Sequence, residues 1–136
     1  MGRRLVTIID EDMPARVLIV DDHSVFRQAA RGLLERRGYT IVGEAGDAAA
    51  AVDAATRLQP DAVLLDVRLG EEDGFAVARA LARACPGTAV LLVSSEDFGD
   101  HTEPVEGCGA RGFVLKSQLA VADLAALWRG ADGRLR

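Results

Sequence analysis

At 136 residues, 49% of them hydrophobic and 27% charged, the chain has the size and composition of one globular domain. Sixteen Lys and Arg against 21 Asp and Glu leave a formal charge of -5, so there is no basic excess to bind nucleic acid or anionic lipid through this chain alone. The longest apolar runs, residues 17–20, 62–65 and 89–93, fall far short of the ~20 residues a bilayer span needs, no signal peptide opens the chain, and Cys85 and Cys108 match neither a disulfide framework nor a CxxC pattern, so a cytoplasmic protein with two buried or half-buried thiols is expected.

From Arg16 onward short apolar runs alternate with helical patterns five times, the signature of βα units and a parallel sheet. Residues 17–20 form a continuous aliphatic run ending in Asp21 and Asp22, as expected of a strand buried on both faces. Val25, Ala29, Leu33 and Phe26, Ala30, Leu34 then recur at helical spacing, with Ser24 expected to cap this helix and Gly38 to end it. Residues 39–42 predict the second strand, and Ala51, Ala55 and Leu58 a helix that stops before Pro60. The third strand, 62–65, ends in Asp66. Val77, Leu81 and Ala84 predict the third helix, closed by Pro86 and Gly87. A fourth strand at 89–93 runs into Ser94 and Ser95, and a short fifth strand at 112–115 into Lys116. Residues 96–106 hold few large apolar side chains and are interrupted by Gly99 and Pro104, so a fourth helix there is expected to be weak, beginning near Pro104. Val121, Leu124, Ala125 and Trp128 predict the last helix. Residues 1–15 are expected to be a mobile extension, 16–130 the domain, and 131–136 a tail.

In an open parallel sheet, ligands bind beyond the carboxyl ends of the strands. Asp21, Asp22, Asp66, Ser94 and Lys116 all stand at such ends. A lone acid after an apolar run reads as a cap or loop residue, but five polar groups leaving four strands do not. Three carboxylates at one edge repel one another unless a cation shares the site, and a hard divalent ion such as Mg2+ suits oxygen ligands. Such an ion would also bind an oxygen of an incoming phosphoryl group, with Lys116 and Ser94 meeting two others. No His or Cys stands among these five, so a carboxylate is left as nucleophile, and Asp66, after the most central strand, is the candidate. Lys116 is also the only Lys beside 15 Arg.

The set Asp21-Asp22, Asp66, Ser94 and Lys116 resembles the receiver domain of two-component response regulators over roughly residues 16–130. The stretches VLIVDDH, LLDVRL, DGF and GARGFVLKS are most similar to the subgroup that carries a C-terminal helix-turn-helix output domain. The resemblance implies an α/β, flavodoxin-like, doubly wound five-stranded parallel sheet of order 2-1-3-4-5 with about five helices. It implies Asp66 as phosphoacceptor, Mg2+ held by Asp22 directly, by Asp21 through water, by Asp66 and by the Arg68 backbone carbonyl, and Phe113 as a switch residue with Ser94 and Lys116. The expected partners are a sensor histidine kinase as phosphodonor, a second receiver in a homodimer, and an output DNA-binding domain lying outside this chain. Two departures from the family stand out. Ser117 follows the lysine where many relatives have Pro, and Gly70 replaces a frequent Pro after Asp66, which predicts a looser loop.

Arg68, two residues after Asp66, and Glu96, two after Ser94, should overhang the phosphoryl group in such a fold and tune its lifetime as a lid. Gly107, Gly109 and Gly112 spell G-x-G-x-x-G, but they precede a strand instead of following one, so no dinucleotide site is read from them. His23 and His101 are expected to be solvated loop residues, and Trp128 to pack the last helix or lie partly exposed. The alternative reading is a degenerate receiver that acts as an interaction module without phosphorylation. A separate enzyme of the haloacid dehalogenase type is disfavoured, because Arg68 stands where its second Asp would be.

Overall fold

The computed structural model describes residues 16–96, 105 and 107–130. Five parallel strands form the sheet: β1 Arg16–Val20, β2 Thr40–Ala45, β3 Ala62–Asp66, β6 Ala89–Ser94 and β7 Gly112–Leu115. Their order is β2-β1-β3-β6-β7, which is the expected 2-1-3-4-5 when the short strands β4 Arg68–Leu69 and β5 Glu72–Asp73 are left out. Four α-helices lie wholly within the described residues: α1 Ser24–Arg36, α2 Ala48–Leu58, α3 Gly74–Ala84 and α4 Leu124–Arg129. The unbroken aliphatic runs are explained by burial on both sheet faces. Leu18, Val20, Val63, Leu65, Val90 and Leu92 pack with α2 and α3 on one face, whereas Val17, Ile19, Leu64, Leu91 and Val93 pack with α1 and α4 on the other. Both cysteines are buried.

Several sequence expectations are corrected. The second strand runs 40–45, with Tyr39 buried just ahead of it against Trp128, ring centroids 5.5 Å apart. Ser24 is the first helical residue of α1, not its cap; the N-cap is His23, without a side-chain cap bond. Val25 belongs to no core stripe and is exposed. The last helix begins only at Leu124, because the Asp123 carboxylate accepts the Ala126 N–H there, which leaves Val121 outside it and exposed. Trp128 is fully buried and its indole donates to the Val63 carbonyl oxygen at 3.1 Å. The glycines at 107, 109 and 112 do lead into β7.

The loop after Asp66 carries order that periodicity did not predict. β4 and β5 pair antiparallel around Gly70 and Glu71, and Gly70 has φ 62°, the first central position of a two-residue hairpin turn. A proline, fixed near -65°, could not stand there, so the departure at 70 is what this turn requires. The hairpin is tied to two helix starts: Glu72 accepts the Ala48 N–H of α2 at 2.8 Å, and Asp73 accepts the Phe75 N–H of α3 at 2.9 Å. The expectations for residues 1–15, 131–136 and His101, and most of that for 96–106, lie outside the described residues. Val105 and Gly107 are helical.

Candidate functional site

Parallel pairing sets the strand ends side by side, Asp66 opposite Val93 and Ser94 opposite Leu115, so Asp21, Asp66, Ser94 and Lys116 arrive at one edge. Asp66, Ser94 and Lys116 line an open cleft of about 230 Å³ together with Asp22, Arg68 and Glu96, and Asp21 lies buried beneath Lys116. Asp21 is fully buried, and Asp66 and Ser94 nearly so. The Asp22 side chain is 29% exposed.

Lys116 organises the carboxylates. Its Nζ stands 2.7 Å from Asp21 Oδ2 and 3.4 Å from Asp66 Oδ2. The first is a close charge contact without hydrogen-bond alignment, so no directed donor satisfies that buried oxygen. Burial, and then the neighbouring Asp21 carboxylate, push Asp66 up to about 6, against the lowering effects of Lys116 and the Arg68 N–H. Ser94 Oγ accepts the Glu96 N–H at 3.0 Å and keeps its own proton to donate. The remaining predicted residues are placed as follows. Arg68 Nη2 and Glu96 Oε1 lie 3.7 Å apart across the cleft mouth, both largely exposed. Phe113 is half-buried in β7, packed on the α2/α3 side of the sheet.

Sequence reasoning missed four contributors. His23 was expected to be a solvated loop residue, yet its Nδ1 lies 3.2 Å from both Asp21 Oδ1 and Asp22 Oδ1. Potential ligand atoms of Asp21, Asp22, His23 and Asp66 all fall within 4.8 Å of one another. The cause is a turn in which Asp21 Oδ1 accepts the His23 N–H at 2.8 Å. Arg27 donates from Nη1 to the Asp21 carbonyl at 2.5 Å and from Nε to Glu44 at 2.9 Å. Burial raises the Glu44 pKa, but hydrogen bonds from Arg31 and Arg27 outweigh it and hold that carboxyl below its ordinary range. Gly74 lies so close behind the end of β3 that a Cβ would meet the Asp66 carbonyl oxygen at 2.4 Å. Phe26 presents its ring to Lys116. Two of them carried a signal, His23 as the last residue of the VLIVDDH stretch and Gly74 as the Gly of the DGF stretch.

The donor chemistry fits a hard divalent cation: carboxylates from two strand ends converge, one buried oxygen lacks a directed donor, and like-charge repulsion already raises Asp66. Among the described residues no helix is long and apolar enough to cross a membrane.

Comparison with known proteins shows the family. The family model "Response regulator receiver domain" matches residues 17–127. The chain is 36% identical over 124 residues to the nitrate/nitrite response regulator protein NarP of Escherichia coli, covering 90% of this chain and 58% of NarP. It thus spans little more than half the length of that relative. A two-component response regulator of the LuxR family from Aurantimonas superimposes with a TM-score of 0.79 at 30% identity, covering 90% of this chain and 88% of that one. A Burkholderia pseudomallei response regulator, described with a phosphorylated aspartic acid and a calcium ion, gives a TM-score of 0.75 at 25% identity over 83% of this chain and 66% of that one. The chain belongs to the response regulator receiver domain family of two-component systems.

Proposed function

We propose that this chain is a signalling receiver that accepts a phosphoryl group on Asp66 from a sensor histidine kinase and thereby changes its interaction surface. The observation that carries the reading is the Lys116 ammonium set between the Asp21 and Asp66 carboxylates at the edge of an open cleft. In the transfer an Asp66 carboxylate oxygen forms a bond to phosphorus while the bond from phosphorus to the donor's histidine nitrogen breaks, and that nitrogen keeps the electron pair. Lys116 then faces the added negative charge and the Ser94 hydroxyl donates to a phosphoryl oxygen. Asp21, Asp22, Asp66 and the Arg68 carbonyl would hold Mg2+, whose chemistry is to neutralise phosphoryl oxygens and keep Asp66 ionised. Ser94 and Lys116, with Phe113 beside them in the sheet, would pass the change to the outer surface. The chain performs only this transfer and the hydrolysis of its own acyl phosphate. Its partners on this reading are the kinase, a second receiver in a homodimer, and an output DNA-binding domain in the cytoplasm.

Incubation with acetyl phosphate and Mg2+, followed by intact mass, tests the reading. One added phosphoryl group is expected, and none for Asp66→Asn with unchanged circular dichroism. No gain by the parent protein would leave the phosphorylation-independent interaction module instead, and labelling of the Asn variant would unseat Asp66.

A further inference from the structure

Besides the two carboxylates, the Lys116 ammonium has a third neighbour. Its Nζ lies 4.2 Å from the centroid of the Phe26 ring. A cation over an aromatic face is attracted by the ring quadrupole, and more strongly where water is excluded. The Lys116 side chain is only 18% exposed. The ring itself is fixed from behind: Phe26 is half-buried in the first turns of α1 and packs on the cluster that holds Val17, Ile19 and Trp128.

Lysine is a point charge on a flexible four-carbon stem, with no planar fork to define its direction. Coulomb attraction alone would draw it toward Asp21, whose Oδ2 is already the nearer oxygen at 2.7 Å against 3.4 Å for Asp66. A neutral ring face on another side of the ammonium supplies attraction without adding a carboxylate. It also occupies a position from which water would hydrate the charge. Phe26 has no hydrogen-bonding atom in its side chain, so this face is the only polar contact it can offer.

We propose that Phe26 is a positioning residue: its ring holds the Lys116 ammonium over the gap between Asp21 and Asp66, where it can meet an oxygen newly attached to Asp66. This rests on the function proposed above. The ring touches no reacting atom and acts through the lysine.

The chain's single lysine makes the test clean, since protein grown with 13C-lysine reports Lys116 alone. The ε-methylene protons are expected upfield in the parent and in Phe26→Tyr, and near the free-lysine position in Phe26→Leu and Phe26→Met. Phosphoryl uptake from acetyl phosphate at saturating Mg2+ should slow roughly three- to tenfold in the Leu and Met variants, the size of a partly shielded cation–π contact, and stay within about twofold in Tyr. Mg2+ affinity should stay near that of the parent. Because the Leu and Met variants lose packing on the core cluster as well as the ring contact, their rates are compared at a temperature where melting curves show every variant fully folded; a merely structural role would leave the uptake rate of the folded variants unchanged. A lysine resonance indifferent to the ring overturns the contact. Leu and Met variants that take up phosphoryl at the parent's rate overturn the role alone, whereas a parent that takes up none overturns the proposed function and this role with it.

Discussion

Arg68 and Glu96 reach toward each other over the cleft from adjacent strand ends, Nη2 and Oε1 3.7 Å apart, with side chains 74% and 66% exposed. An exposed pair contributes only ~0 to 1 kcal/mol to stability, so we propose that its consequence for an acyl phosphate on Asp66 is steric, a cover over the line along which water would attack. Arg68→Ala or Glu96→Ala is therefore expected to shorten the lifetime of phospho-Asp66 by roughly two- to fivefold, with the double variant little worse than the worse single one, because either loss opens the same cover. Decay rates of the three variants decide it; parent-like rates or fully independent effects would remove the lid. Such a pair was legible beforehand, because in a parallel sheet the residue after each strand already has a known place, and counting two further reaches the rim. The same logic brought Asp21, Asp66, Ser94 and Lys116 together. Phe26 and Arg27 were not legible in this way. Each acts through the side of α1 that meets the sheet edge, and Phe26, placed in an apolar series, reads as plain core, which its buried side is.

The stretch between Asp66 and α3 shows what periodicity cannot reach at the level of elements. Two-residue strands such as β4 and β5 contain too few residues to display a period, so only the turn chemistry at Gly70 could have announced them. The long strands were legible because burial on both faces leaves unbroken aliphatic runs, whereas the start of α4 was set by one local bond from Asp123, which overrode the apolar spacing of Val121. The hairpin ends at Gly74, whose N–H donates to the Val67 carbonyl at 2.6 Å, and an added Cβ would meet the carbonyl oxygens of Asp66 and Val67 at 2.4 and 2.5 Å. These are backbone atoms and cannot turn aside. Gly74→Ala must push α3 off the end of β3, with an expected loss of about 1 to 3 kcal/mol in urea unfolding and slower phosphoryl uptake through a displaced Asp66. Gly87→Ala, where nothing lies within 4 Å of the new methyl, is the control and should change little. Equal stability of the two variants would show that α3 does not set the position of the acceptor.

For the whole molecule, the convergence that makes the site costs stability when no cation is bound. Asp66 is raised from 3.8 to about 6 by burial and by Asp21, so between those values the folded chain holds a proton that the unfolded chain has released. Stability from this group is therefore fully present below pH ~4 and falls as pH rises through ~6, the reverse of a salt-bridged carboxylate. The difference corresponds to about 2 to 3 kcal/mol. Asp66→Asn resembles the protonated carboxyl and carries no such dependence. In chelator, the Asn variant should match the parent near pH 4 and exceed it by up to about that amount at pH 7, with the gap opening between pH 4 and 6. Saturating Mg2+ stabilises only a folded chain that binds it, so it should narrow the gap at pH 7 by raising the parent while leaving the variant, which lacks one charged ligand, less changed. Urea unfolding of both proteins at four pH values, with chelator and with Mg2+, measures this. A gap that is constant across pH would mean that Asp66 titrates alike in the folded and unfolded chains, and that Lys116 already neutralises the acidic edge without a metal ion.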